Sequence, residues 1–255
     1  MIKIAFFDID GTLLDMKKKE ISEKVLETIK RLREKKVILC IATGRPPITL
    51  PAFKDMFDVC LTFNGSYCFN KQQTIFSNPL DNRDVQKIIE NAANIQRPLS
   101  VATKERLGSN GKDKDLIEYY SFAKLEVEVA DDFEKIAGTE VYQVMMGGRK
   151  EEYAQILEGV QRAKITAWWD RAVDIIPADG GKGRGVEAVL EFYNLKKEDA
   201  IAFGDGNNDI EMLQSVGHGV AMGNASGELK EVADDVCKSV EEDGIYYYCL
   251  ERGWI

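Results

Sequence analysis

The chain contains one histidine, His218, in 255 residues, so a metal cage built on several imidazoles is excluded and His218 is expected to be structural or at the surface. Five cysteines, Cys40, Cys60, Cys68, Cys237 and Cys249, are scattered, odd in number and never spaced as C-x-x-C. That argues against a disulfide or zinc framework and for reduced, mostly buried thiols in a cytoplasm. No apolar run approaches the roughly 20 residues that a membrane-crossing helix requires, so no membrane association is expected. Asp8 and Asp10 interrupt the apolar stretch at the start, so no signal peptide is expected there. Positive charge is in deficit: 34 Lys and Arg stand against 43 Asp and Glu, a net charge of -9. General nucleic-acid binding, which needs basic surface, is therefore not expected. An acidic protein that handles an anion needs a local positive site, from a metal or a few placed Lys and Arg. There is no internal repeat and no low-complexity linker. The chain length fits one large α/β unit or two modest domains.

What is present begins at Phe6-Phe7-Asp8-Ile9-Asp10-Gly11-Thr12-Leu13-Leu14. Met1 to Phe7 is apolar except for Lys3, the pattern of a strand buried on both faces of a parallel sheet. The run stops on two carboxylates and a glycine. Side chains two apart on an extended backbone point the same way, so Asp8 and Asp10 converge at the strand end. That edge of an open α/β sheet is where ligands bind. Two acids at one point repel and call for a cation, a shared proton, or both. Taken alone, the pair could equally begin a turn.

Ser22 is placed to cap a helix carrying Val25, Ile29 and Leu32, followed by the strand Val37 to Ala42 and Thr43-Gly44-Arg45. Strand, helix and strand predict a parallel pair, with Asp8 and Thr43 at the same edge. Val59 to Phe63 reads as a third strand ending in Asn64-Gly65-Ser66, and Tyr67 to Phe69 with Thr74 to Phe76 as a hairpin. From 81 to 178 the order of elements becomes mixed: helices over Arg83 to Ile95, Asp115 to Ala123 and Glu151 to Ala163, and strands over Pro98 to Thr103, Leu125 to Val129 and Val141 to Met146. Gly108 to Gly111 reads as a loop, and Ile165 to Trp169 can pair with Ala172 to Ile176. This predicts an inserted α+β domain over 81–178 within a core formed by 1–80 and 179–255. Alternation then resumes with a helix over Gly183 to Tyr193, the strand Ala200 to Phe203, a helix over Ile210 to Ser215, the strand Gly219 to Met222, and a helix over Gly244 to Arg252. In that last helix Tyr246 to Tyr248 are expected to pack.

Asp8, Asp10, Thr43, Lys182, Asp205 and Asp209 then lie at the ends or starts of elements of one sheet. Singly, each has a cheaper explanation, and Lys182 could be a solvated surface lysine. Together they supply carboxylates for a hard cation, a hydroxyl and an ammonium, a set suited to a phosphoryl group and Mg²⁺. Other motifs fail on spacing. An EF-hand started at Asp205 would put Ile210 where Gly is required and Val216 where Glu is required. Gly181-Lys182 is no P-loop, because Gly183 stands where Ser or Thr must follow. Gly217-x-Gly219 lacks the third glycine of a dinucleotide fingerprint.

Asp8-Ile9-Asp10-Gly11-Thr12-Leu13, Thr43-Gly44-Arg45, Lys182-Gly183 and Gly204-Asp205-Gly206-Asn207-Asn208-Asp209 resemble the four signature segments of the haloacid dehalogenase-like hydrolases. Asn64-Gly65 and Gly219 to Ala225 resemble further marks of the Cof-type phosphatases in that superfamily. The resemblance covers nearly the whole chain in order. One local departure is Asp179-Gly180-Gly181 ahead of Lys182, where relatives often carry Ser or Asn immediately before the lysine.

The resemblance implies a Rossmann-like, doubly wound parallel sheet with an inserted α+β cap of type IIB. It implies a Mg²⁺-dependent phosphatase of small phosphorylated metabolites, sugar phosphates or phosphorylated cofactors, working as a monomer or homodimer. Asp8 would be the nucleophile that forms an aspartyl-phosphate, which suits a carboxylate because no proton need be removed. Asp10 would be the general acid and base. Mg²⁺ would take the Asp8 side chain, the Asp10 carbonyl and Asp205, with Asp209 completing or orienting that set. Thr43 and Lys182 would hold the phosphoryl oxygens. Gly44, Arg45, Asn64, Gly65 and Asn208 are candidate substrate contacts, as are Arg171, Trp168 and Trp169, for which core packing is the competing reading. A phospho-accepting receiver, a phosphomutase and a non-catalytic binding protein are the rival expectations.

Overall fold

The computed structural model describes residues 2–167 and 169–255. The chain forms two compact units: 1–43, 51–77 and 181–255 make the first, 44–50 and 78–180 the second. The expected division at 80/81 and 178/179 is therefore shifted by two or three residues. Gly44–Leu50 is a further difference, grouping with the second unit instead of the first.

The first unit is built on strand β1 (Ile4–Phe7), which is buried throughout as its unbroken apolar run requires. Helix α1 (Glu23–Glu34) follows, with the Ser22 hydroxyl accepting from the Val25 N–H at 3.1 Å and Val25, Ile29 and Leu32 buried. Strands β2 (Ile38–Ala42) and β3 (Val59–Thr62) continue the parallel sheet, and β4 (Tyr67–Asn70) and β5 (Thr74–Ser77) add an antiparallel hairpin.

The second unit runs through helix α2 (Asn82–Asn94), β6 (Leu99–Ala102), β7 (Leu107–Ser109), α3 (Lys114–Phe122), α4 (Phe133–Ala137), β8 (Gln143–Gly147), α5 (Tyr153–Ile156), β9 (Ala163–Thr166) and β10 (Ala172–Pro177). Its antiparallel sheet has the order β7-β6-β8-β10-β9. Leu99, Val101, Val144, Met146, Val173 and Ile175 from the sheet form one apolar core with Val85, Ile88, Phe133, Ile136 and Ile156.

Three local expectations fail here. The helix expected over Glu151 to Ala163 ends at Ile156. Side chains of α2 capture the backbone beyond it: Asn91 donates to the carbonyls of Ile156 and Glu158, and Asp84 accepts from the N–H groups of Gln161 and Arg162. Within Leu125 to Val129 the sheet contact is a single bridge, Val129 to Ser109. The loop expected over Gly108 to Gly111 is partly strand β7.

The chain re-enters the first unit with α6 (Lys182–Phe192), then β11 (Ala200–Gly204), α7 (Ile210–Gln214), β12 (His218–Ala221), α8 (Gly227–Val232), the two-residue strand β13 (Asp235–Val236) and α9 (Gly244–Glu251). The sheet order is β13-β12-β11-β1-β2-β3-β4-β5, with every pair from β13 to β3 parallel. From β1 the chain winds outward one way through β2 and β3; from β11 it winds outward the other way through β12 and β13. Right-handed crossovers then place α1 on one face and α7 and α8 on the opposite one. In keeping with this, α1 packs against α9, and α7 packs against α6 and α8. The expected doubly wound α/β fold is what is found. Between β1 and β11 the winding reverses, the place where such sheets bind ligands. Phe7 and Phe203 stack there with centroids 5.4 Å apart.

Candidate active site

Asp8 follows the last residue of β1, and its N–H donates to the Phe203 carbonyl of β11 at 3.0 Å. Asp8 as a residue is 6% exposed. Lys182 opens α6 and is 1% exposed, so the surface-lysine reading is wrong. Its ammonium donates to Asp8 Oδ1 at 2.6 Å and to Asp209 Oδ1 at 2.5 Å. Asp209 uses its other oxygen to accept from the N–H groups of Asp205 and Gly206, both at 3.0 Å. Asp205 Oδ1 accepts from the Thr12 hydroxyl at 2.9 Å.

Gly11 makes the approach of β1 to Asp205 possible. It has φ +91°, and a Cβ there would lie 2.2 Å from Asp205 Oδ2. Gly65 does the same for α6: φ is +85°, and a Cβ would lie 2.4 Å from the Gly181 carbonyl oxygen, one residue before Lys182. Phe63 and Asn64 precede it at φ 51° and 52°, a left-handed conformation unusual for a bulky side chain. The buried Asn64 gains from it, because its N–H donates to the Thr43 carbonyl at 3.0 Å and its Oδ1 accepts from Asn208 Nδ2 at 3.0 Å.

Ligand oxygens of Asp8, Asp205 and Asp209 lie within 4.8 Å of one another. Lys182 is the ammonium that meets two of these carboxylates, and it cannot neutralise all three. Burial pushes Asp8 up to about 7, with help from the charges of Asp209 and Asp10 and against the pull of Lys182. Burial, then the charges of Asp8 and Asp209, lift Asp205 well above the usual carboxylate range. Burial works against the Lys182 ammonium, yet Asp209 and Asp8 outweigh it and hold the group charged. An ion-paired carboxylate normally has a lowered pKa; here burial, helped by the neighbouring negative charges, outweighs the ion pair. The donors are hard oxygens and the surplus is anionic, so the group fits a divalent cation such as Mg²⁺. The Asp10 carboxylate is not part of this group among the described residues, and Asp10 is half-buried at the strand end.

Asp8, Thr43, Asn64, Gly65, Lys182, Asp205, Asn208 and Asp209 are thus brought together in the first unit. Gly44 and Arg45 belong to the second, where Arg45 Nη1 donates to the Thr49 carbonyl at 3.2 Å. Trp168 lies outside the described residues, and Trp169 packs edge-on against Phe122 and under the Arg171 guanidinium, 4.3 Å from its ring centre. Two contributors have no role in the sequence reading. Thr12 holds Asp205, and Asn224 donates to the Gly11 carbonyl at 2.9 Å. Thr12 sits inside the first signature segment and Asn224 inside the Gly219 to Ala225 mark, which was the available signal. His218, as expected, is structural: its Nε2 lies 3.0 Å from Asp235 and 2.5 Å from the Tyr248 hydroxyl.

A family model described as haloacid dehalogenase-like hydrolase matches residues 5–249, and the chain belongs to that family. It is similar to 5-amino-6-(5-phospho-D-ribitylamino)uracil phosphatase YitU of Bacillus subtilis (strain 168), 30% identical over 260 residues that cover 96% of this chain and 95% of the relative. Among solved structures, the subclass IIB sugar phosphatase BT4131 superposes with a TM-score of 0.91 at 28% identity, covering 99% of this chain and 100% of that one. A structure showing a trigonal-bipyramidal intermediate in a phosphoryl-transfer superfamily superposes with a TM-score of 0.94 at 27% identity, covering 100% of both chains. The protein is a phosphatase of the haloacid dehalogenase-like family.

Proposed function

We propose that this phosphatase hydrolyses small phosphate monoesters, sugar phosphates or phosphorylated cofactor precursors, through a phosphorylated Asp8. The observation that carries this reading is the cluster of Asp8, Asp205 and Asp209, two of whose carboxylates, Asp8 and Asp209, hold the buried Lys182 ammonium. Asp8 attacks phosphorus through a carboxylate oxygen, and a cation bound beside it would keep that carboxylate ionised against the upward push of burial. As the bond from phosphorus to the leaving oxygen breaks, Asp10 gives that oxygen a proton. Asp10 then takes a proton from the water that attacks the phosphorylated Asp8, and inorganic phosphate leaves. Thr43 and Lys182 hold the phosphoryl oxygens, and Asn208, set by Asn64, orients the group. Mg²⁺ held by Asp8, the Asp10 carbonyl and Asp205 would offset the charge of the phosphoryl oxygens, with Asp209 fixing the loop that presents Asp205. Phosphate monoesters are among the slowest bonds to hydrolyse, with enzymatic accelerations reaching ~10²¹, and fixed charges plus positioning are how proteins meet that demand.

The relatives' own substrates, a phosphoribitylamino pyrimidine and sugar phosphates, support polar, hydroxyl-rich leaving groups. In this reading Gly44 and Arg45, which group with the second unit, are the candidates for choosing the leaving group. The test is phosphate release over a panel of sugar phosphates, nucleotides and vitamin phosphates, with Mg²⁺ or with chelator. Release that depends on Mg²⁺ and vanishes in Asp8→Asn is the expected result. Full turnover by Asp8→Asn would refute the nucleophile.

A further inference from the structure

Asn224 is a surface turn residue between β12 and α8, outside the catalytic set just described. Its carboxamide nevertheless touches three separate parts of the first unit. Nδ2 donates to the Gly11 carbonyl at 2.9 Å, in the turn that carries Asp8 and Asp10. The same nitrogen lies 3.4 Å from Asp205 Oδ2, on the oxygen that Thr12 leaves free. Its Oδ1 accepts from the Val240 N–H at 2.9 Å, in the turn that leads to α9. Chemistry fixes this orientation, since a main-chain N–H can only donate and a carbonyl can only accept. Aspartate at 224 would lose both donations, and alanine would lose all three contacts. Two residues on, the Ser226 N–H donates to the Asp205 carbonyl at 3.0 Å, so this turn grips Asp205 by side chain and main chain together.

We infer that Asn224 is a positioning residue for the cation. It locks the Asp8 turn to Asp205, and Val240 aims it. The inference rests on the reading of Asp8, Asp205 and Asp209 as the metal group. Groups that orient metal ligands typically change affinity by about 10–100-fold when removed, and an exposed carboxamide belongs at the low end.

Val240 offers a selective test. It opens a 3-10 turn, where proline is tolerated, and Ser239 before it is extended at φ -66° and ψ 165°, as a residue preceding proline must be. Val240→Pro therefore deletes the N–H that holds Asn224 and leaves the backbone path intact. Full-length wild type, Asn224→Ala, Val240→Pro and the double variant are titrated with Mn²⁺, free ion being read by electron paramagnetic resonance. The Mg²⁺ dependence of phosphate release is measured alongside.

Asn224→Ala is expected to raise the Mn²⁺ dissociation constant about tenfold. Val240→Pro should raise it less, and the double variant should match Asn224→Ala. The Mg²⁺ concentration for half-maximal rate should move with these values, with kcat at saturating Mg²⁺ close to wild type. Unchanged Mn²⁺ affinity in Asn224→Ala, with wild type binding, overturns the inference and leaves the metal reading standing, as does full additivity in the double variant. No Mn²⁺ binding by wild type overturns the metal reading and the inference with it. If Asn224→Ala fails to fold, Val240→Pro alone decides between a weakened and an unchanged affinity.

Discussion

A lysine as thoroughly buried as Lys182 is tolerated because Asp8 and Asp209 both hold its ammonium. Lys182→Met should therefore remove phosphate release and destabilise the protein by about 3–5 kcal/mol, the usual result of orphaning buried charges. Thermal melts with and without Mg²⁺ check this, and the cation should restore part of the loss. Asp8 gives a pH prediction. An acid whose folded pKa lies above its unfolded value binds the extra proton when folded, so stability falls as pH rises between the two values. With Asp8 moved from 3.8 to about 7, chelated wild type should lose stability from about pH 4 to about pH 7. Asp8→Asn cannot titrate. In chelator at pH 8 it should melt several degrees above wild type, and the gap should close as the pH is lowered towards 4. A variant that melts below wild type across that range would show that the Lys182 ion pair outweighs burial.

At the level of elements, the turn after β1 is the tightest junction in the site. Gly11→Ala puts a methyl on the Asp205 carboxylate at a positive φ, and it should cost more than about 1 kcal/mol and weaken Mn²⁺ binding together. Calorimetric titration beside a melt separates the two effects. Elements with strong local signals were legible in the sequence: the apolar run of β1 with its paired acids, the Ser22 cap of α1, and the glycine-acid turn after β11. Elements decided by distant partners were not. The pattern over Glu151 to Ala163 is helical in amphipathicity, but Asp84 and Asn91 take its backbone groups from some seventy residues away. Strand β13 has two residues and α8 six, too short to show a period. The acids of the site announced themselves through spacing. The burial of Lys182 did not, because nothing local distinguishes it from a solvated lysine.

On the scale of the whole molecule, the second unit carries its own apolar core and a closed set of strand pairings. A fragment spanning 78–180 should melt cooperatively by circular dichroism and release no phosphate. A fragment with random-coil spectra would show that the unit depends on the rest of the chain. The first unit has no such independence. Its central strand β1 is flanked on one side by β2 and on the other by β11, which is made nearly two hundred residues later. While the polypeptide emerges from the ribosome, β1 must wait with one edge bare until the intervening unit is complete. Asp8 waits with it, its ammonium partner 174 positions downstream. A nascent chain that has emerged only as far as residue 180 would therefore hold a finished insert beside an open, sticky half-sheet, and that is the stage at which chaperones would be needed most.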